Sequence, residues 1–454
     1  MGRSRWRWQI LSDAWRVQLW PLPTLGVLVA VGLGVGLPHL DAHVDDGLPA
    51  GVTAYLFSGG PEAARTVLST VASSLITVTS LTFSLTVVTL QLASSQYSPR
   101  LLRTFTQDRL VHVTLALLLT TFIYAVTVLR TVRASLSDQA AFVPQLSVTA
   151  AYLLALISVV ALVVFLAHLA RQIRVESLLR AVHAEADATL RRCLDEKRPI
   201  GTADVPVIPM AGAASLCARS SGFLTSVDEK TLLAAATDAG AVVLLDRFPG
   251  DSLIAGTPIG VVWALDGGKA LDQETVAALT ERAADAVNTG YERTAAQDIA
   301  FGLRQIIDVA IKALSPGIND PTTAVHALGH AAALLCEAVG RDLGPRLLLD
   351  ESGRVRVMLR SPDFPMLLEL AVAQPRHYGA ADPDVLERLF MLLREVAWST
   401  QRLEHHRAVA EQLIRLSATA RTQGHDRVEQ ARVDNLARSV REALVGCWPP
   451  NEPR

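Results

Sequence analysis

Four uncharged apolar stretches, roughly 19–37, 68–92, 110–129 and 146–170, constrain this chain more than any other feature. Each approaches or exceeds the ~20 residues an α-helix needs to cross a hydrocarbon core of ~30 Å. Lipid offers backbone groups no partners, so the stretches read as helices. Residues 1–170 hold ten Arg, no Lys and seven acids, although the 454-residue chain is 19% charged overall. The remainder is therefore charged like an ordinary globular protein. A net charge of −2 leaves no basic excess for phosphates and argues against a general nucleic-acid binder. A cleaved signal peptide is disfavoured by the long segment before the first stretch and by the lack of an A-x-A site after Leu37.

Orientation is read from the flanks. Arg3, Arg5, Arg7 and Arg16, then Arg100, Arg103 and Arg109, then Arg171, Arg174 and Arg180 lie on one side; Arg65, Arg130 and Arg133 lie on the other. The positive-inside rule places both termini in the cytosol. Cys193, Cys217, Cys336 and Cys447 all come after the spans without a CxxC pair, which suits a reducing compartment.

The second span carries eleven hydroxyl residues from Ser69 to Thr89. Thr70, Ser73, Ser74, Thr77, Ser80, Ser84 and Gln91 recur at mostly three- or four-residue spacing, on one helix face. Two readings stand: small hydroxyl residues that let helices pack closely, or a water-filled path where hydroxyls replace part of an ion's hydration shell. In the first span, Gly32 with Gly36 and Ala30 with Gly34 have small-xxx-small spacing, a close-packing face. After it, His39, Asp41, His43 and Asp45 would share one side of an extended chain, either as a divalent-metal half-site or as a solvated acidic loop.

Beyond the spans, an apolar period predicts a helix from Arg171 to about Lys197. Runs at 205–210, 222–227, 241–248 and 258–264 predict strands of a small β module, with a helix near 230–237. A helix is predicted over 295–313, with Asp298, Gln305, Asp308 and Lys312 on or near one face and Arg304, Asp308 and Lys312 four apart. It should stop at Ser315-Pro316-Gly317, and the next should start with Asn319 or Asp320 as N-cap. The turn is explained by an αα-hairpin; the rival is an anion held at the new helix start beside Arg304 and Lys312. His326 and His330 are four apart on that second helix, half of a metal site or plain helix-face histidines. Residues 346–359 read as a β-hairpin. No nucleophile elbow, P-loop, GxGxxG or paired-carboxylate context occurs, so no catalytic residue is assigned.

Two strings resemble the bacterial predicted membrane protein family known as domain of unknown function 2254. One runs from Ser80-Leu-Thr-Phe-Ser84 through Gln91 and Tyr97 to Arg100. The other runs from Gly290-Tyr-Glu-Arg through Asp298-Ile-Ala-Phe-Gly-Leu-Arg to Asn319-Asp320-Pro321. The resemblance covers about residues 20–420 and implies a bacterial plasma-membrane protein, with no reaction attached. It draws attention to a cytosolic mouth at Ser94, Ser95, Gln96, Tyr97 and Arg100, and to the helix-turn-helix of Asp298, Arg304, Asp308, Lys312, Asn319 and Asp320.

The expected architecture is mostly α: a four-helix transmembrane region plus an α+β cytosolic region with a small β-rich module. The divisions are a basic N-terminus (1–18), the spans (19–170), a helical stalk (171–199), the β module (200–270), a mostly helical domain (271–446) and a tail (447–454). The favoured function is an oligomeric ion channel or transporter whose second span, through Thr70, Ser73, Thr77, Ser80, Ser84 and Gln91, lines the path. The alternative is a membrane-anchored sensor or scaffold. Expected partners are the lipid bilayer, further copies of the chain and a small ion; no cofactor is expected. An enzyme using His326 and His330 with a metal is a third reading.

Overall fold

The computed structural model describes residues 20–44, 56–96, 108–133, 142–172, 174–194, 206, 209, 212–265, 271–424 and 426–448; of 44, 92–96 and 172 only the backbone is described. Two compact units divide at Arg174/Val175.

The first unit contains α1 (Pro21–Val44), α2 (Pro61–Gln96), α3 (Arg109–Leu129) and α4 (Gln145–Gln172), each long and apolar enough to span a membrane. These are the four predicted stretches, with α2 extended by a turn and more at its start, where Pro61 takes a first-turn position, with Glu62 next to it. Helix α3 is the centre: 56% of its apolar window is buried against 17% for α1 and α4. It packs on α1, α2 and α4. The α1–α3 seam uses Gly26, Ala30 and Gly34. A Cβ on Gly26 would lie 2.3 Å from Thr120 Oγ1, and one on Gly34 would lie 2.8 Å from Thr127 Cβ. Gly32 and Gly36, expected at a close-packing face, meet nothing within 4 Å. At 3.6 residues per turn they sit roughly half a turn from the seam that Ala30 and Gly34 occupy. Outward faces of α1 and α4, including Leu25, Leu28, Val160 and Val163, are apolar and exposed, as a lipid-facing surface requires.

The second unit begins with α5 (Val175–Cys193). Next come β1 (Ala214–Cys217), β2 (Gly222–Val227), α6 (Glu229–Asp238), β3 (Ala241–Leu245), β4 (Ser252–Leu253), β5 (Pro258–Ala264), α7 (Gln273–Ala286) and β6 (Val287–Gly290). The remainder is α8 (Phe301–Ala313), α9 (Pro321–Val339), β7 (Arg346–Leu349), β8 (Val355–Leu359), α10 (Phe364–Gly379), α11 (Pro383–Ser399), α12 (Leu403–Arg421) and α13 (Arg427–Leu444). Predicted strands at 222–227 and 258–264 coincide with β2 and β5; most of 205–210 lies outside the described residues.

Five strands form one sheet in the order β1-β5-β3-β8-β7, and three form another in the order β4-β2-β6. The predicted 346–359 hairpin joins the first sheet through a parallel β3–β8 pairing, Val243 opposite Val357. Leu216, Leu224, Leu232, Val243, Ile259 and Leu279 pack in one core that includes Val357. Helix starts are written in aspartate: Asp228, Asp272, Asp320, Asp363, Asp382 and Asp426 each cap a helix of this unit, Asp426 in a full capping box with Glu429. Helix α11 is the bundle's hub, with Leu386, Leu389, Phe390 and Leu393 buried against neighbours that include α9 and α13.

Candidate functional site

Helix α2 has two hydroxyl faces. Thr79, Thr82, Thr86 and Thr89 turn inward and are buried. Their hydroxyls donate to the carbonyls of Leu75, Val78, Thr82 and Leu85 at 2.6–2.8 Å. Thr70, Ser73, Ser74, Thr77, Ser80, Ser84 and Gln91 turn outward and are exposed on the unit's surface. Ser73 and Thr77 donate to the carbonyls of Thr70 and Ser73. Such back-bonding satisfies the donor and leaves oxygen lone pairs facing out. Around Thr77, Ser80 and Ser84, a shallow open groove is completed by Ile76 and Leu81. Of the mouth residues, Ser94, Ser95 and Gln96 belong to the last turn of α2, their side chains outside the described residues; Tyr97 and Arg100 lie wholly outside them.

The extended reading of His39, Asp41, His43 and Asp45 is corrected: α1 remains helical to Val44. Asp45 lies outside the described residues. Alternation in a strand becomes opposition on a helix. His43 Nδ1 sits 2.8 Å from its own helix's His39 carbonyl, whereas Asp41 turns inward and is 2% exposed. It accepts from Leu146 N and Ser147 N, both at 3.0 Å, and from Ser147 Oγ at 2.7 Å. The carboxylate thus caps α4 from another helix, where the helix dipole favours negative charge. Tyr124 Oη donates to the Ser147 carbonyl beside it. Among the described residues, no group of three or more His, Cys, Asp or Glu is arranged to hold a metal ion. Asp41→Ala is expected to destabilise the membrane unit by about 2 kcal/mol, read as a lowered unfolding midpoint in micelles, with Asp41→Asn intermediate. An unchanged midpoint would refute the capping role.

Near the other end of α4, His168 Nε2 lies 2.5 Å from Asp108 Oδ2, and Asp108 also caps α3 by accepting from Leu110 N at 2.8 Å.

The second motif is organised differently from its sequence reading. Helix α8 begins at Phe301, six residues later than the period suggests. Asp298 therefore lies before the helix and off the Asp308–Lys312 face. Its side chain is 1% exposed and held by Arg293 at 2.8 Å (Nε) and 2.7 Å (Nη2). Ala300 N donates to its other oxygen at 3.2 Å. Burial pushes the Asp298 carboxyl up to about 6, outweighing Arg293, which pulls it down. Gly250 (φ 103°) completes the enclosure: a Cβ there would lie 2.3 Å from Asp298 Oδ2.

Helix α5 grips the same segment. Thr189 Oγ1 donates to the Ala295 carbonyl at 3.0 Å, and Arg192 Nη2 donates to the Ala295 and Ala296 carbonyls at 2.9 and 3.0 Å. Gly302 allows the helices to touch, since a Cβ there would lie 2.3 Å from Ala186 Cβ. Arg304 Nη1 donates to Gln374 of α10 at 3.2 Å. Asn319 adopts φ 52°, the left-handed conformation asparagine tolerates, and Asp320 caps α9 through Thr323 N at 3.1 Å. The Thr323 hydroxyl, then its N–H, hold the Asp320 carboxyl below its ordinary range. That carboxylate occupies the helix start where an anion would otherwise bind, so the turn reading is favoured.

His326 and His330 share an α9 face as expected. The sequence did not reveal that His183 of α5 meets His330 with ring centroids 5.1 Å apart. No spacing signal links positions so distant along the chain.

Four apolar helices and a mixed α+β unit after the last of them define a polytopic membrane protein. The chain belongs to the predicted membrane protein family DUF2254, whose family model matches residues 16–395 and ends within α11. It is 35% identical over 445 residues to uncharacterized proteins of Mycobacterium bovis and Mycobacterium tuberculosis, covering 96% of this chain and 83% of each relative. No solved structure matches it.

Proposed function

We propose that the chain forms a homo-oligomer in the bacterial plasma membrane, both termini cytosolic, in which α2 helices from several copies line a path for small ions. The carrying observation is the outward hydroxyl face, Thr70, Ser73, Thr77, Ser80, Ser84 and Gln91, in a unit whose α1 and α4 turn apolar side chains outward. Hydroxyl and amide oxygens turned to a shared axis replace hydration without a buried charge. The Arg distribution supports the orientation.

Flux through reconstituted liposomes tests this. Wild-type protein is expected to pass K+, Na+ or Cl−, and the triple change Thr77→Leu, Ser80→Leu, Ser84→Leu should lower flux about tenfold or more, a barrier rise of ~1.4 kcal/mol. Vesicles tight to all three ions would sink the reading and favour the alternative, a membrane-anchored sensor or scaffold. The soluble unit's independent core supports that alternative; it predicts a partner or ligand response that the triple change leaves intact.

A further inference from the structure

Helix α5 comes after α4 with two residues between them, Ile173 and Arg174, and is the soluble unit's first element. It packs on α8 and α9. Its pairing with α9 is in register: His183 meets His330, Arg191 Nη2 reaches Glu337 at 3.3 Å, and Arg341 Nη1 donates to the Leu194 carbonyl at 3.1 Å. The histidine contact is the unusual one. His183 Nδ1 is buried with no hydrogen-bond partner among the described residues.

We propose that the His183–His330 contact is an acid-sensitive latch, which holds α5 on α9 while the His330 imidazole is neutral and releases it when that ring takes up a proton.

The charged groups that act on His330 have one sign. Burial first, then His183, His326 and Arg180, holds His330 below its ordinary value of 6.5, and no carboxylate acts on it. On α5, Glu176 and Glu185 are exposed and Asp187 is held by Arg191 at 3.0 Å. On α9, Glu337 is held by Arg341 at 2.8 Å. Helix α8 carries Arg304, Asp308 and Lys312. Against α9, α10 carries Glu369, bound to Arg415 of α12, and Arg376, directed at Thr419; α11 carries Arg388 and Glu395, paired at 2.6 Å. A proton on His330 places a charge inside this 5.1 Å ring contact, where burial disfavours the charged form.

The latched state has the depressed pKa, so it binds fewer protons than the released state. The stabilisation is present above the released-state value of ~6.5 and is lost as pH falls below it. The latch is independent of whether α2 lines an ion path, because its readout is the protection of α5 alone.

Hydrogen–deuterium exchange of the full chain in nanodiscs, corrected for intrinsic rates, is the test. Protection of α5 amides is expected to fall several-fold between pH 7.5 and 5.5, as the released state takes up protons more readily than the latched one. The double change His183→Gln, His330→Gln should abolish that fall. His330→Arg installs a permanent charge and should release α5 already at pH 7.5. Equal wild-type protection at both pH values, an undiminished fall in the double variant, or a His330→Arg protein as protected as wild type at pH 7.5 would each overturn the proposal.

Discussion

Arg293→Ala is expected to destabilise the segment around α8 by about 3 kcal/mol at neutral pH, because it strands a buried carboxylate. Asp298 is almost wholly enclosed and receives two of its contacts from this guanidinium. Its folded-state pKa of about 6 lies above the ordinary 3.8. The folded state therefore holds the proton more tightly, and this group's contribution to stability declines as pH rises from about 4 to about 6. Removing Arg293 extends that decline to higher pH. The variant's deficit, read from amide exchange across α8 in the full chain, should be larger at pH 7.5 than at pH 5. An equal deficit at both would mean that Arg293 acts mainly by packing on Phe301, whose ring centre is 5.7 Å from the guanidinium carbon.

Gly302→Leu should be comparably disruptive, about 3 kcal/mol, through overpacking at a helix crossing. The obstacle is Ala186 itself, with Cβ and Cα at 2.3 and 3.1 Å from the added Cβ, so no flexible side chain can yield. The helices must separate, which also strips Thr189 and Arg192 from the carbonyls they hold. Protease sensitivity at the C-terminal end of α5 should rise sharply. Gly302→Ala should be milder, and Ala186→Gly placed with it should restore protection. Failure of that rescue would show that the glycine serves something other than close approach.

These two contacts give the Asp298-Ile-Ala-Phe-Gly-Leu-Arg string a mechanical meaning that its spelling conceals. Its period looks helical from residue 295, but Asp298 has a stronger partner in Arg293, and the chain enters α8 only at Phe301. Asp41 departs from its extended reading for a related reason. Alternating His and Asp suggest a strand, yet the helix continues because the carboxylate can cap α4 at Leu146 and Ser147, more than a hundred residues away. Where the signal is local, it is legible: β5 at 258–264, the Asp320-Pro321 helix start and the 346–359 hairpin all stand as read. That the hairpin completes the sheet of the β module is not legible, because parallel pairing of β3 with β8 leaves no mark in either strand's own pattern.

Sequence alone determined the four spans, the hydroxyl face on the second and the mixed α+β character of the region after the fourth, since each rests on hydrophobic period and length within one segment. Only tertiary structure decided which hydroxyls turn outward, which glycines form the α1–α3 seam, and which groups Asp41, Arg293 and His183 meet. Those outcomes depend on contacts between segments far apart in the chain, where burial and unpaired polar groups set the energy and local spacing carries no information about the partner.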